Sequence, residues 1–301
     1  MVDILLATYN GGRYIETQLL SIISQSYKNW RLIIHDDGST DNTIEIVKRW
    51  VKLDNRISLI EDNIRCGGAA QNFMHLLNYS NAAYVMFCDQ DDIWLDNKVE
   101  LMYNRITSMD TAKPRVVYSN SYVWKPDEGI GGLATLSFPS SLNELLFMNS
   151  GVQGCVSIFD DKVRELMKVY KGVMSMHDHV LNLIAASMAD VSIIHVPLML
   201  YRNHNSNVTG DTRTKILVAD SLTYRGKLPV VDNLHYDTIQ RFRLYYSDNL
   251  SLCDKRILDD YLTMPQRGFI YRLFVIISNK YKLYNSVLLL IVKLFFRPFK
   301  R

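Results

Sequence analysis

Within its first ninety residues the chain repeats one pattern four times: a short apolar run that stops abruptly at a polar cluster. Residues 2–7 end at Thr8-Tyr9-Asn10-Gly11-Gly12, and 32–34 end at His35-Asp36-Asp37-Gly38-Ser39. Residues 57–60 lead to Arg65-Cys66-Gly67-Gly68, and 84–87 stop at Cys88-Asp89-Gln90-Asp91-Asp92. Between the runs, apolar residues recur at helical spacing: Ile15, Leu19, Ile22 and Ile23, then Ile44, Val47 and Val51, then Phe73, Leu76 and Leu77. Thr40 or Asp41 is placed to cap the second of these helices. Strands alternating with helices at this spacing build a parallel sheet with crossover helices, covered on both faces. Such a sheet carries the carboxyl ends of its strands to one edge, where α/β proteins bind ligands.

Beyond residue 96 the pattern continues less regularly. A helix is predicted from about Val99 to Met109, strands over 116–118 and 155–159, and an exposed loop over 127–141. A helix follows His177-Asp178, with Val180, Leu183, Ile184 and Met188. Residues 191–200 read as two short strands around Pro197, and from about Arg213 the pattern is helical. The expected organisation is one domain over 1–212, its donor half about 1–110 and its acceptor half about 111–212, with a helical extension over 213–301.

Composition excludes several classes. With 48% hydrophobic and 22% charged residues in 301, disorder and fibrous structure are ruled out. Four scattered cysteines without a Cys-x-x-Cys pair speak against a zinc ribbon or a disulfide scaffold and fit a reducing compartment. The net charge of +3 conceals an uneven distribution. Residues 261–301 contain eight Lys and Arg and no Asp or Glu, whereas the remainder is net acidic. That is not the footprint of a nucleic-acid binder; it fits a body whose C-terminal part meets an anionic membrane surface. The alternative is a helical pair packing on the body or on a second subunit of a homo-oligomer. Met1 leads straight into a strand-like run, so no secretory leader is expected. No apolar stretch approaches the length needed to span a bilayer.

The strand ends carry the chemistry. Asp89-x-Asp91 directly after an apolar strand places two carboxylates where they can share one divalent cation. Oxygen donors of this kind suit Mg2+ or Mn2+ and not Zn2+. In Asp36-Asp37-Gly38-Ser39, capping explains one acidic or hydroxyl residue but not both aspartates. Asp37 could accept a hydrogen bond from a pyrimidine N3–H, and Tyr9 could stack on the same base.

Read together, Ala7-Thr8-Tyr9-Asn10, Asp36-Asp37-Gly38-Ser39-Thr40-Asp41 and Asp89-Gln90-Asp91-Asp92-Ile93-Trp94 resemble the inverting glycosyltransferases of family 2, over about the first 210 residues. The form Asp-Gln-Asp-Asp-Ile-Trp is most similar to a rhamnosyltransferase-type branch active in bacterial surface-polysaccharide synthesis. The resemblance implies a GT-A fold, that is, a mixed, mainly parallel sheet flanked by helices. It also implies a nucleoside diphosphate sugar donor and a divalent cation, Mn2+ or Mg2+. Thr8, Tyr9, Asn10 and Asp37 would then contact the nucleoside, Asp89 the ribose or metal, and Asp91 the metal and diphosphate.

Asp178 matches the position of the family's general base, which removes the acceptor hydroxyl proton; its other reading is a helix cap. His177 is read as orienting Asp178 at the acceptor side. Residues 201–210 resemble a family loop of the type Tyr-Arg-x-His-x-x-Asn. Arg202 or His204 would approach the diphosphate or metal from it, unless it is only an exposed polar loop. Trp94 either stacks on an acceptor sugar or fills a strand–helix corner. Arg65 lies near the donor, although Cys66-Gly67-Gly68 departs from the family's Asn-x-Gly-type run.

The expected function is transfer of rhamnose from dTDP-rhamnose to a saccharide acceptor, lipid-linked as in polysaccharide assembly, at the cytoplasmic face of the plasma membrane. A UDP-hexose donor, or a catalytically silent nucleotide-binding scaffold, is the alternative.

Overall fold

The alternation read from the first ninety residues is realised as β1 (Val2–Thr8), α1 (Ile15–Ile23), β2 (Trp30–Asp36), α2 (Thr43–Leu53), β3 (Ile57–Ile60), α3 (Ala69–Leu76) and β4 (Tyr84–Cys88). The structure, a computed structural model, describes residues 1–148, 151–204 and 229–300. β1 is buried along its whole length because helices need apolar cover on both faces of the sheet. β1 pairs in parallel with β2 and β4, and β2 with β3, so all four carboxyl ends share one edge. At the opposite end Asp3 is fully buried and structural. It accepts from Arg31 Nε and Nη2 at 2.9 Å and from Ser80 Oγ at 2.8 Å.

The chain continues through β5 (Ile93–Trp94), α4 (Lys98–Thr107), β6 (Arg115–Lys125), β7 (Gly129–Leu133), α5 (Leu142–Leu145), β8 (Ser157–Asp160), α6 (Asp161–Val169), α7 (His177–Met188) and β9 (Asp190–Arg202). Among the described residues the sheet order is β3-β2-β1-β4-β8-β6-β9-β5, with β7 on β6. β8 is antiparallel to both β4 and β6, β9 is parallel to β6, and β5 is antiparallel to β9. The sheet is therefore mixed, with its parallel block at the start of the chain.

Two expectations are corrected here. The glycine-rich stretch read as a loop over 127–141 contains β7, which forms an edge hairpin with β6. The two short strands expected around Pro197 are one strand, β9, with an irregularity where Asn120 faces Pro197. Proline lacks the N–H the ladder needs and is accommodated at that shift in register.

Two compact units emerge. The first comprises Met1–Thr135, Gln153–Lys168 and Ala189–Gly210; the second comprises Leu136–Val152, Val169–Met188 and Asp211–Arg301. The domain boundary expected between 212 and 213 lies outside the described residues. The second unit contributes α8 (Asn233–Tyr245), α9 (Leu252–Thr263), α10 (Phe269–Ser278) and α11 (Val287–Phe296). Asp232, Ser251 and Ser286 cap α8, α9 and α11 with side-chain oxygens. Phe147 meets Tyr261, Tyr281 and Phe299 edge-on in this unit's aromatic core.

Candidate active site

The polar ends of β1, β2 and β4 are tied to one another. Thr8 Oγ1 donates to Gln90 Oε1 at 2.6 Å, and Gln90 Nε2 donates to the Tyr9 carbonyl at 3.1 Å. A Cβ on Gly11 would lie 2.2 Å from Gln90 Oε1, so only glycine permits this approach. The Asn10 N–H donates to Ser39 Oγ at 2.7 Å, and Asn10 Oδ1 accepts from Thr40 N at 2.8 Å. Tyr9 is left exposed beside these bonds, with its ring open to a ligand.

The two aspartates of β2 divide their work. Asp36 closes its own turn by accepting from Gly38 N at 3.0 Å, Ser39 N at 2.7 Å and Ser39 Oγ. Asp37 accepts from the backbone N–H groups of Cys66, Gly67 (3.1 Å) and Gly68 (2.8 Å). Three donors on a carboxylate with about four acceptor positions leave one for a ligand, on Oδ2. Gly38, at φ +91°, lets Arg65 cross directly over it. Asp41, expected as a helix cap, accepts from Thr43 N at 3.0 Å and Gly12 N at 2.9 Å, joining the β1 and β2 loops.

The acidic run after β4 is the most charged part of the edge. Donor atoms of Asp89, Asp92 and Cys155 lie within 4.8 Å of one another. Burial, then the neighbouring Asp91 charge, pushes the Asp89 carboxyl up to about 6, partly countered by a hydrogen bond from Cys155. Burial, then Asp91 and Asp89, raises Asp92 well above the carboxylate range. Asp92 Oδ1 accepts from Arg202 N at 3.1 Å, while Oδ2 is buried with no hydrogen-bond partner.

Crowded carboxylates with a buried orphaned oxygen fit a divalent cation, which would relieve both the repulsion and the missing bond. Asp89 and Asp92 would supply the hard oxygen ligands of such a cation; Asp91, expected as a ligand, is not among the three residues whose donor atoms converge.

β9 brings the other side. Arg202 Nε donates to the Asp91 carbonyl at 2.6 Å, with its guanidinium 4.2 Å from the Trp124 ring centre and 4.9 Å from that of Tyr14. His204 Nε2 lies 2.9 Å from Asp91 Oδ2, and its ring stacks on Tyr14 at 4.8 Å. The remainder of the expected loop, 205–210, lies outside the described residues.

Beneath the carboxylates is a residue that sequence reasoning missed. Lys98, at the start of α4, is fully buried; its Nζ donates to the Cys155 carbonyl at 2.6 Å and sits 3.7 Å from the Trp94 ring centre. Burial brings its ammonium down to about 8, opposed by neighbours that include Asp92 and Asp89. Trp94, expected at the acceptor, is 2% exposed with Lys98 on its face, so it presents no open ring and fills the corner after β5. Nothing in local spacing singles out Lys98, because a helix-start lysine usually faces water.

A second cluster in the same unit is a structural tie. Asp62 accepts from Ile64 N at 3.0 Å and the Tyr79 hydroxyl at 2.7 Å, and it faces His35 Nε2 at 3.2 Å and His75 Nε2 at 2.6 Å. It anchors the 61–68 loop whose other end grips Asp37.

Asp178 lies in the second unit, in the first turn of α7, where the helix N-terminus favours a carboxylate anion. His177 beside it is buried, which lowers its ring to about 3 and keeps it neutral near pH 7. His179 stacks on His235 at 4.1 Å and meets Ser175 Oγ at 2.7 Å, a packing arrangement inside the same unit. The edge of the first unit thus gathers Thr8, Tyr9, Asn10, Asp37, Arg65, Asp89, Asp91, Arg202 and His204. Asp178 and His177 belong to the other unit.

Comparison with known proteins agrees with this architecture. The family model described as glycosyl transferase family 2 matches residues 3–160. A dTDP-rhamnosyl transferase, RfbG of Shigella flexneri, is 30% identical over 219 residues, 68% of this chain and 73% of that protein. WfaP of Escherichia coli, a UDP-Glc:alpha-D-GlcNAc-diphosphoundecaprenol beta-1,3-glucosyltransferase, is 39% identical over 125 residues, 42% of this chain. That match spans only 47% of WfaP, and a match to GlyG of Streptococcus pneumoniae spans 42% of GlyG. Among solved structures, S. aureus TarS residues 1–349 in complex with UDP superposes with a TM-score of 0.59 at 15% identity, covering 94% of this chain and 75% of that 1–349 chain.

Proposed function

This chain belongs to glycosyl transferase family 2 and has the GT-A fold, and on that premise we propose that it is an inverting, divalent-cation-dependent glycosyltransferase. It moves a sugar from a nucleoside diphosphate donor to a hydroxyl of a saccharide, lipid-linked, in the synthesis of a bacterial surface polysaccharide. The observation that carries this reading is the junction at Asp91: its carboxylate meets His204 from beyond β9, and its carbonyl meets Arg202, on the same sheet edge as the β1 and β2 loops.

In this reading Tyr9 offers its ring and Asp37 its remaining acceptor position to the base, while Thr8, Asn10 and Arg65 shape the same end of the site. Asp89 and Asp91 would hold Mn2+ or Mg2+, with His204 at Asp91 Oδ2. A cation bound there would supply the positive charge that offsets the leaving nucleoside diphosphate. Arg202 adds a fixed positive charge on that side. The Asp178 carboxylate takes the proton of the acceptor hydroxyl as its oxygen bonds to the anomeric carbon and the bond from that carbon to the diphosphate oxygen breaks. His177, neutral, helps to orient it.

The first proposed donor is dTDP-rhamnose, supported by the rhamnosyl transferase relative that matches over two thirds of this chain. A UDP-hexose is the second reading, favoured by the higher identity of the shorter WfaP match. The C-terminal basic stretch fits work at the inner face of the plasma membrane, against anionic lipid. No described helix is long and apolar enough to cross a membrane.

Hydrolysis of a panel of nucleotide sugars identifies the donor, and Asp178→Asn tests the mechanism. Transfer should fall by at least about a hundredfold with donor binding retained. Unchanged transfer would remove Asp178 as the base, and a panel with no substrate would favour a silent scaffold. Turnover that survives a chelator would refute the cation's role.

A further inference from the structure

α10 and α11 of the second unit expose more apolar surface than their own packing accounts for. They touch through Phe269 and Phe295, whose ring centres are 4.6 Å apart. Inward, α10 buries Val275 and Ile276, and α11 buries Leu290 and Leu294. Outward, Ile270, Phe274 and Ile277 follow one another at i, i+4 and i+7 on α10, and Leu288 and Phe295 at i and i+7 on α11. Ile270 is 83% exposed, Phe274 67%, Leu288 70% and Phe295 62%. The Phe269–Phe295 contact joins the two rows into one patch, of the kind that marks an interaction surface.

Charge placement indicates what covers it. The guanidinium of Arg272, the one charged residue of α10, is turned back onto the Met264 and Pro265 carbonyls at 2.8 and 3.0 Å. Lys293 of α11 is half-buried, and desolvation lowers it to about 8. The outer rows therefore carry no charge, while exposed Arg267 and Lys280 flank α10 at its two ends. A second copy docking through the same patch would bring these cations toward their like; 261–301 holds no acidic residue to answer them, and the neighbouring Asp260 carboxylate is engaged by Asn279 Nδ2 at 2.9 Å. An anionic bilayer answers both the apolar rows and the cations. At ten residues each, the helices are about 15 Å long, half the thickness of a hydrocarbon core, so they can lie in the interface but not cross it.

We propose that α10 and α11 insert side by side into the headgroup–acyl boundary of an anionic membrane, with Ile270, Phe274, Ile277, Leu288 and Phe295 below the phosphates and Arg267 and Lys280 among them. This deepens the membrane contact suggested above from surface attraction to insertion, and rests on the second unit's surface rather than on the transfer chemistry.

The test uses the full chain without donor, floated with phosphatidylglycerol-containing vesicles and with neutral phosphatidylcholine vesicles. The wild type should bind the anionic vesicles and remain bound when salt is raised. Ile270→Glu and Phe274→Glu should each lower partitioning by about tenfold or more, with an unchanged melting temperature. Tryptophan at position 270, as Ile270→Trp, should be quenched by lipids brominated in the acyl chain. Should either glutamate variant fail to fold, this quenching decides alone. Vesicle binding indifferent to both glutamates, equal binding to neutral vesicles, or an unquenched indole each overturns the proposal. So does a Phe274→Glu variant that splits a dimer while floating like the wild type, which would make the patch a subunit interface. Transfer to a soluble acceptor, assayed in parallel, separates this failure from failure of the proposed activity.

Discussion

The backbone N–H of Arg202 donates to Asp92 Oδ1 at 3.1 Å across 110 residues of sequence. The end of β9 thereby fixes the last carboxylate of the acidic run after β4, and it carries His204 onto Asp91 in the same movement of the chain. Asp91 and Asp92 are thus each bonded from a second stretch of the first unit, so the acidic run is held by more than its own loop.

His204 orients Asp91 through one hydrogen bond at 2.9 Å. Removing such a partner of a metal-binding carboxylate costs about 10- to 100-fold in metal affinity. His204→Ala should weaken Mn2+ binding by that factor, measured by titration calorimetry. Unaltered affinity would place the cation elsewhere.

Lys98 is a buried cation whose charge acts on Asp89 and Asp92 without an ion pair to either. Lys98→Met keeps the volume but leaves the carboxylates without it, and should lower unfolding free energy by about 3 kcal/mol in urea titrations. Added Mn2+ should restore part of the loss. A variant as stable as the wild type would show that the ammonium contributes only packing.

Gly38 sits at φ +91°, with a hypothetical Cβ 2.7 Å from Arg65 Nε. Gly38→Ala strains the backbone by about 1–3 kcal/mol and displaces Arg65. Stability should fall by that amount and nucleotide affinity with it; an intact affinity would remove Arg65 from the donor side.

The Tyr79 hydroxyl, followed by the Ile64 N–H and the His75 and His35 rings, holds Asp62 well below the usual carboxylate range. The folded state therefore binds this proton less readily than the unfolded chain. Its contribution is complete above the unfolded value near 4 and fades as pH falls through the folded one. Asp62→Asn should lose less stability than the wild type between about pH 5 and pH 3 in denaturant titrations. Parallel acid limbs would count against this tie.

How far the molecule could be read in advance differs between its parts. The β1, β2 and β4 loops were legible because a parallel sheet aligns the carboxyl ends of its strands, so a polar cluster after each apolar run already implies a shared edge. Asp37 was legible as important but not in its contacts, since its three backbone donors come from a loop thirty residues on. Locally the β9 segment reads as two strands because Pro197 breaks the pattern, while the ladder to β6 tolerates it at a register shift. Trp94 and Lys98 show the opposite failure. A tryptophan near an acidic motif suggests a ligand contact, yet here its face is covered in the core by Lys98, which nothing in the sequence singles out.

Sequence by itself determined the α/β class, the parallel block and the acidic edge, because strand period, helix period and turn chemistry act over a few residues and leave their mark locally. The tertiary structure alone decided that Arg202 and His204 close over Asp91, that Lys98 lies beneath Asp89 and Asp92, and that α10 and α11 turn an uncharged face outward. Those arrangements depend on burial and on contacts between residues far apart in the chain, and desolvation has no signature in the order of neighbouring residues.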